Sequence, residues 1–222
     1  MEDPLSVRPH PPGLRLIETM LWNGSAFPRL PLHLARLTAS AARLGWPAPV
    51  LGDALSGLPD TALSGQPSTP LPSTPLPSMP LRVRLTLNAK GQITVETAAL
   101  PVSKPQWTVT LHPRRLASSD PWLAVKSTQR SLYDTARANL PPDLGEYLFA
   151  NERGEVCEGS ITSLFFDRGQ GLRTPPLTCG LLPGVLRAEL AAPEEILFLD
   201  DLPHVRLWLG NALRGLIPAV LA

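Results

Sequence analysis

A proline-rich segment interrupts the chain and limits what can form around it. Residues 57–80 contain the near-repeat PSTPLPSTPLPSMP and hold seven of the chain's 27 prolines. Proline lacks an amide donor and fixes φ, so neither a helix nor a sheet interior forms at this density. We predict an extended, polyproline-like surface loop that acts as a spacer, with a partner-binding motif as the alternative. Helices and strands are therefore expected on either side of it.

Before this segment the sequence predicts one strand and one helix. Residues 14–22 (LRLIETMLW) favour a strand. Residues 31–44 favour a helix, with Pro31 in its first turn and apolar side chains at helical spacing. His33 and Arg36 lie three residues apart, so they share one face of this helix.

After the segment the sequence predicts mainly antiparallel strands, and hence an α+β fold in two lobes. Strands are predicted at 82–87, 92–97, 106–111, 146–150, 155–158, 161–167 and 196–199. Helices are predicted at 128–140, 185–192 and 203–209. An irregular connector at 112–121 places the predicted boundary between a small N-terminal lobe (1–114) and a larger, cofactor-binding lobe (115–222).

Composition excludes several classes of function. A formal net charge of +1 gives no electrostatic basis for binding nucleic acid or an anionic membrane. No stretch approaches the ~20 apolar residues of a membrane helix, and the first residues lack the pattern of a secretory signal. Cys157 and Cys179 stand in no metal or redox spacing. We therefore expect a cytoplasmic protein with two buried thiols and no metal site.

Motifs of several common enzyme classes are missing. The sequence has no G-x-S-x-G elbow, P-loop, dinucleotide-binding glycine pattern or H-E-x-x-H zinc motif. The four histidines are scattered singly along the chain. A catalytic triad or metal site therefore has no support from the sequence.

Three segments of the sequence contain residues of the kind that bind a cofactor and catalyse reactions. They are HLARL at 33–37, AVKST at 124–128, and EGSITSLFF at 158–166 followed by TPPLTCGLLPGVLR at 174–187. With them the sequence resembles the class IV aminotransferases, the fold-type-four pyridoxal phosphate enzymes. The resemblance runs from IETM near residue 18 to NALRGLIPA at 211–219. It implies a small N-terminal α/β lobe, a larger lobe with a pseudo-barrel of mostly antiparallel strands, and pyridoxal 5'-phosphate as cofactor.

The resemblance implies a role for each of three side chains. Lys126 matches the lysine that carries the cofactor and moves the substrate proton, which requires that its pKa be lowered from the ordinary ~10.4. Glu158 matches the carboxylate that keeps the cofactor ring nitrogen protonated. Arg36 matches the arginine that binds the cofactor phosphate. An exposed structural role is the alternative for each of them.

The remaining predicted cofactor contacts come from two loops and a helix. Amides of Val185 and Leu186, after the Pro183-Gly184 turn, are predicted to face the phosphate. Asn211 and Ala212 match the family's second phosphate loop. Tyr133 is a further candidate, either packed in the core or close to the cofactor.

The sequence also departs from the family pattern. Some relatives have threonine at the position of Leu186 and a hydroxyl residue at that of Ala212, so two phosphate-binding hydroxyls are missing here. Ser163 stands where asparagine is common. The branched-chain enzymes have tyrosine at the position of Ser131. Cofactor contacts at the two loops would therefore come from backbone amides.

The segment KSTQRSLYDTAR and the ending NALRG look most like the 4-amino-4-deoxychorismate lyase branch. That branch implies release of pyruvate and formation of 4-aminobenzoate for folate biosynthesis. A branched-chain or D-amino acid aminotransferase is the alternative, and a non-catalytic, decayed relative is the third. The resemblance implies a homodimer acting on a small amino-bearing molecule. Arg130, Arg206 and Arg214 are candidates for its carboxylate, each with a structural role as the alternative.

Overall fold

A computed structural model describes residues 5–6, 9–52, 54–55 and 79–222. The predicted proline-rich loop at 57–80 lies outside the described residues except for Met79 and Pro80. Its role as a spacer therefore stays a prediction. Within the described ranges no helix has the length and apolar character needed to cross a membrane.

The first lobe is a three-stranded antiparallel sheet with one helix packed on it. The strands lie in the order β1-β2-β3. They are β1 (Arg15–Trp22), β2 (Leu81–Asn88) and β3 (Ile93–Ala99), and the helix is α1 (Leu30–Arg43). These elements confirm the strands and the helix predicted for this part of the chain.

Alternation along the strands divides the sheet into two faces. Leu16 and Met20 of β1 and Val83 and Leu85 of β2 are at most 1% exposed and pack with Leu37 of α1. Because successive strand residues point to opposite faces, the side chains between them point away from α1. That second face becomes one wall of the cavity described below.

The second lobe is a closed barrel of six strands in the order β4-β5-β6-β7-β8-β9. Strand β4 pairs in parallel with β5 and β9, and the other neighbours are antiparallel. The strands are β4 (Trp107–Leu111), β5 (Glu146–Ala150), β6 (Val156–Gly159), β7 (Ser163–Asp167), β8 (Arg206–Asn211) and β9 (Gly215–Leu221). The predicted α+β class with a pseudo-barrel of mostly antiparallel strands is confirmed.

Short helices surround the barrel. They are α2 (Ser131–Ala138), α3 (Val185–Leu190) and 3-10 turns at Pro121–Ala124, Leu177–Cys179 and Leu199–His204. One core fills the barrel, and a second lies between the barrel and α2, where Ala136 meets Phe149, Cys157 and Cys179. Both thiols are free and buried, and burial raises the pKa of each.

Two predicted elements near the C-terminus are wrong. The strand at 196–199 is not formed, and the helix at 203–209 is replaced by a 3-10 turn and by β8, which pairs with β9. Leu207 and Leu209 alternate into the barrel core, and β8 is hydrogen-bonded to a strand on each side. The ladder bonds and the buried side chains outweigh the local preference for helix.

The chain passes between the lobes three times. Strand β4, which the predicted boundary assigns to the first lobe, is part of the barrel. Residues 126–128 then return to the edge of β1: the amide of Ile17 donates to the carbonyl of Lys126 (2.8 Å), and the amide of Thr128 donates to the carbonyl of Arg15 (2.9 Å). This bridge explains why α2 begins at Ser131 and not at residue 128. The division into domains 1–114 and 115–222 stays a prediction.

Candidate active site

A cavity of about 550 Å³ lies between the two lobes. It brings together most of the residues that the sequence singled out. Of the predicted cofactor contacts, those that line it are Arg36, Lys126, Tyr133, Glu158, Val185, Asn211 and Ala212. Leu186 is not among the lining residues. Amine, carboxylate and guanidinium groups from three distant parts of the sequence thus face one space.

Lys126 is held by its backbone at the edge of β1, with its side chain in the cavity. Desolvation and the positive charges of Arg36 and Arg130 lower the pKa of its amine to about 8, against the opposing effect of Glu18 and Glu158. A substantial fraction of this amine is therefore neutral near pH 8. A neutral amine is nucleophilic and can accept a proton, as the predicted role requires.

We expect the reactivity of Lys126 to report this lowered pKa. In cofactor-free protein, its acylation rate should rise with pH and level off above about pH 8, because only the neutral amine reacts. Pulse labelling followed by peptide mass spectrometry measures the rate, with the exposed Lys90 as reference in the same sample. A rate at Lys126 that is still rising tenfold per pH unit at pH 10 would contradict the lowered pKa.

Glu158 lies on β6, a strand whose four residues are all buried, and the residue is 5% exposed. Its Oε1 accepts a hydrogen bond from the hydroxyl of Tyr133 (2.6 Å), and its Oε2 accepts one from the amide of Leu182 (3.1 Å). Burial raises the pKa of Glu158 to about 7, while these bonds and the charge of Lys126 oppose the rise. The carboxyl group therefore exchanges its proton near neutral pH.

Tyr133 both packs in the core and reaches the cavity. Its ring meets Phe149 edge-on, with 5.0 Å between the ring centres, while its hydroxyl holds Glu158. Burial and the neighbouring carboxylate raise the pKa of this phenol, so it stays a hydrogen-bond donor. The sequence left open whether Tyr133 packs in the core or lies close to the cofactor. In the structure its ring packs in the core and its hydroxyl lies beside Glu158.

Arg36 belongs to a buried charge cluster that also contains Glu18 and His33. Two nitrogens of Arg36 donate to Glu18, from Nε to Oε1 (2.9 Å) and from Nη2 to Oε2 (2.6 Å), and Nη1 donates to the carbonyl of Pro183 (3.2 Å). Nδ1 of His33 lies 2.6 Å from Glu18 Oε2. The carboxylate thus fixes the guanidinium at the cavity wall.

Burial alone would raise the pKa of Glu18, but the charge of Arg36 and the bonds from His33 and Arg36 outweigh it and hold that pKa below its ordinary value. Glu18 is not among the site residues predicted from the sequence. The sequence does contain an indication of its role. Glu18 lies two residues from the apolar Leu16 and two from Met20, so all three side chains lie on the strand face that packs against α1. A charged residue there needs a buried partner, and His33 and Arg36 share one helix face.

Two glycines allow α3 to approach the barrel closely. A Cβ on Gly184 would lie 2.2 Å from Oγ of Ser163, and one on Gly210 would lie 2.5 Å from Cδ2 of Leu186. Leu186 therefore packs against β8 and not into the cavity, which accounts for an apolar residue at this position. Val185 lines the cavity at the start of α3. A contribution of the Leu186 amide to cofactor binding stays a prediction.

Asn211 organises the turn between β8 and β9. Its Oδ1 accepts hydrogen bonds from the amides of Leu213 (3.1 Å) and Arg214 (3.0 Å), and its Nδ2 donates to the carbonyl of Ile161 (3.2 Å). The side chain is thus occupied in shaping the turn that brings Ala212 to the cavity. Direct contact of Asn211 and Ala212 with a cofactor stays a prediction.

The three arginines that are candidates for binding a substrate carboxylate differ in their position relative to the cavity and in their partners. Arg206 lies outside the cavity lining; its side chain is 69% exposed and pairs with Asp167. Arg130 lines the cavity, but it donates to Asp134 (2.8 Å) and to the carbonyl of Ser160 (2.9 Å). Arg214 lines the cavity as well, and its buried Nε has no partner in the described chain.

The donor set fits pyridoxal 5'-phosphate. An amine with a lowered pKa, a buried carboxyl group with its own donors and a fixed guanidinium line one cavity, and the two close glycine contacts leave the loops no room for larger side chains. Among the described residues no group of three or more histidine, cysteine, aspartate or glutamate side chains could hold a metal ion.

Comparisons with known proteins agree with this geometry. The family described as "Amino-transferase class IV" matches residues 15–221, nearly the whole chain. A Schizosaccharomyces pombe protein named "Putative aminodeoxychorismate lyase" is 29% identical over 184 residues, which are 79% of this chain and 72% of that protein.

Solved structures share the fold of this chain. A Mesorhizobium loti protein described as a "Putative amino-acid aminotransferase" is 41% identical, with a TM-score of 0.81 over 94% of this chain and 100% of that one. A Legionella pneumophila protein described as a "Putative 4-amino-4-deoxychorismate lyase" has a TM-score of 0.77 over 93% of this chain and 82% of that one, but at 19% identity it supports the fold alone. The chain belongs to the class IV aminotransferase family and is an enzyme of this pyridoxal phosphate-dependent kind.

Proposed function

We propose that the protein binds pyridoxal 5'-phosphate on Lys126 and acts as a 4-amino-4-deoxychorismate lyase, releasing pyruvate and 4-aminobenzoate. The observation that carries the cofactor assignment is the single cavity shared by Lys126, Glu158 and Arg36. The name of the S. pombe relative supports the lyase reaction. The NALRG ending and the KSTQRSLYDTAR segment point the same way.

Each of the three residues would hold a different part of the cofactor. Lys126 would carry its aldehyde carbon, Glu158 its ring nitrogen, and Arg36 its phosphate. Backbone amides near Val185 and Ala212 would add donors to the phosphate, since hydroxyl side chains are missing at these loops. The homodimer implied by the resemblance is part of the same proposal.

When bound, pyridoxal phosphate supplies a ring that can take up the electron pair left by removal of a proton from the substrate. The chain must supply a base, and Nζ of Lys126 can act as one because its pKa is about 8. Glu158, with a pKa of about 7 and two fixed donors, can hold a proton on its carboxyl group. In the lyase reaction a proton leaves the amino-bearing carbon of the substrate ring and the C–O bond to the enolpyruvyl group breaks, so that the substrate ring becomes aromatic. The departing enolpyruvate takes up a proton and leaves as pyruvate.

Incubation with 4-amino-4-deoxychorismate tests the reaction directly. We expect 4-aminobenzoate, detected by its fluorescence after chromatography, and pyruvate, detected with lactate dehydrogenase, in equal amounts and without an added amino acceptor. Lys126→Ala protein is the control for spontaneous breakdown. Absence of both products above that control would end the lyase proposal.

Amino transfer is the second candidate, favoured by the 41% identical M. loti protein described as a "Putative amino-acid aminotransferase". This reaction would need an acceptor such as 2-oxoglutarate and a branched-chain or D-amino acid donor. Formation of glutamate from these, without pyruvate from aminodeoxychorismate, would select it. A protein that stays colourless when pyridoxal phosphate is added would instead favour a non-catalytic relative.

A further inference from the structure

Among the described residues, one end of the cavity carries more positive than negative charge. Arg82 on β2, Arg137 on α2 and Arg214 in the β8–β9 turn all line it. The charges that act on Arg214 within the described chain are Arg137 and Arg82, which are like charges, and Glu146, which is opposite. Three guanidinium groups thus face one carboxyl group.

Glu146 is already occupied by other donors. It is fully buried, and Ser160 Oγ donates to its Oε1 at 2.6 Å while the amide of Tyr147 donates to the same oxygen at 3.0 Å. Thr162 Oγ1 and the amide of Ile161 each lie 3.3 Å from Oε2. Arg137 reaches this carboxyl group only at 3.5 Å. Little of its hydrogen-bonding capacity remains for Arg214.

Arg214 is held in place, but it forms no ion pair with any of the described residues. Its amide is held by Asn211 Oδ1, and its guanidinium carbon lies 5.8 Å from the ring centre of Trp107, in a cation–π arrangement. Its Nε is buried without a hydrogen-bond partner in the described residues. Burial and the charges of Arg137 and Arg82 lower the pKa of Arg214. Such a group is stabilised when an anion binds beside it.

From these contacts we propose that Arg137 and Arg214, with Arg82 at the rim, form an anion subsite that selects substrates carrying two carboxylates over those carrying one. Two carboxylates match the excess of two positive charges at this end of the cavity, and guanidinium groups bind carboxylates in pairs of parallel hydrogen bonds. The inference rests on the proposed function only for the amino-bearing nature of the substrate. The subsite itself is a property of the chain.

Calorimetric titration of the full chain, saturated with pyridoxal phosphate, tests the subsite with two matched probes. Isophthalate and benzoate share an aromatic ring and differ by one carboxylate. We expect isophthalate to bind roughly tenfold or more tightly than benzoate, because its second carboxylate forms hydrogen bonds with charged guanidinium groups. Such bonds are stronger than those between neutral groups. Arg214→Met should remove this preference while leaving benzoate affinity nearly unchanged, and Arg214→Lys should restore part of it.

Two further variants separate the subsite from general damage. Arg206→Met is the matched control, because Arg206 lies on the same hairpin but outside the cavity, and it should keep the preference. Arg82→Gln, at the exposed rim, should weaken isophthalate binding without affecting folding. Circular dichroism and thermal melts of every variant establish that it is folded.

The outcomes distinguish this inference from the proposed reaction. Equal affinity for isophthalate and benzoate in the unmodified protein, or an undiminished preference in both Arg214→Met and Arg82→Gln, would overturn the subsite even if aminodeoxychorismate is cleaved. Loss of the preference in Arg214→Met, together with no cleavage of aminodeoxychorismate by the unmodified protein, would keep the subsite and reject the lyase reaction.

Discussion

Lys126→Ala protein should lose turnover by at least roughly 10²–10⁴-fold, the contribution typical of a positioned acid–base group. The variant should also fail to fix pyridoxal phosphate covalently when treated with borohydride. Both effects follow from removal of the one amine that lines the described cavity and whose pKa is lowered to about 8. Steady-state kinetics measures the first, and mass spectrometry of the reduced protein measures the second.

The chain makes this experiment unusually clear, because it contains only three lysines, Lys90, Lys104 and Lys126. Lys90 and Lys104 are exposed, so Lys90→Ala and Lys104→Ala are matched controls that should keep both activity and trapping. A reduced adduct of cofactor mass on Lys90 or Lys104 alone would reject Lys126 as the attachment site. Undiminished turnover in Lys126→Ala would reject its catalytic role.

Glu18→Gln should destabilise the protein by about 3–5 kcal/mol at neutral pH, the usual effect of removing one partner of a buried ion pair. The substitution leaves Arg36, whose side chain is 11% exposed, without its carboxylate, and it leaves His33 buried beside an amide. Urea denaturation followed by circular dichroism gives the free energy of unfolding. Glu96→Gln, on the exposed face of β3, is the matched control and should change stability by less than about 0.5 kcal/mol.

The pH dependence of this difference has a definite sign. The folded state lowers the pKa of Glu18, so the folded protein holds its carboxylate more firmly ionised than the unfolded chain does. The resulting stability is fully present above the unfolded value, near 4.5, and is lost as pH falls through the lower folded value. The gap between the unmodified protein and Glu18→Gln should therefore narrow at acid pH. A gap that widens there would contradict the ion pair.

Much of the fold could be predicted because its signals are local. The alternation in RVRLTL and QITVET predicts β2 and β3, and the apolar spacing of HLARLTASAARL predicts α1. The barrel strand β8 could not be identified in this way. Its residues RLWLGN gain their strand conformation from partners on both sides, one of which, β7, ends almost 40 residues earlier in the chain.

The candidate site also has a part that could be predicted from the sequence and a part that could not. Lys126, Glu158 and Arg36 were predicted through a family resemblance, and the structure places all three in one cavity. Leu186 does not line that cavity, because its side chain fills the space above Gly210. The charge excess around Arg214 depends on four elements brought together by the fold. No spacing along the sequence could have indicated it.

The bridge between residues 126–128 and β1 has a consequence for how the enzyme becomes competent. The amine is tied to the edge of the small sheet, whereas Glu158 projects from the barrel, so their juxtaposition exists only while the two lobes are docked. Any partial unfolding that separates the two lobes would move Lys126 away from Glu158 before either sheet unfolds. Loss of function on mild heating should accordingly precede loss of secondary structure. A molecule that contacts both lobes would stabilise their docked arrangement.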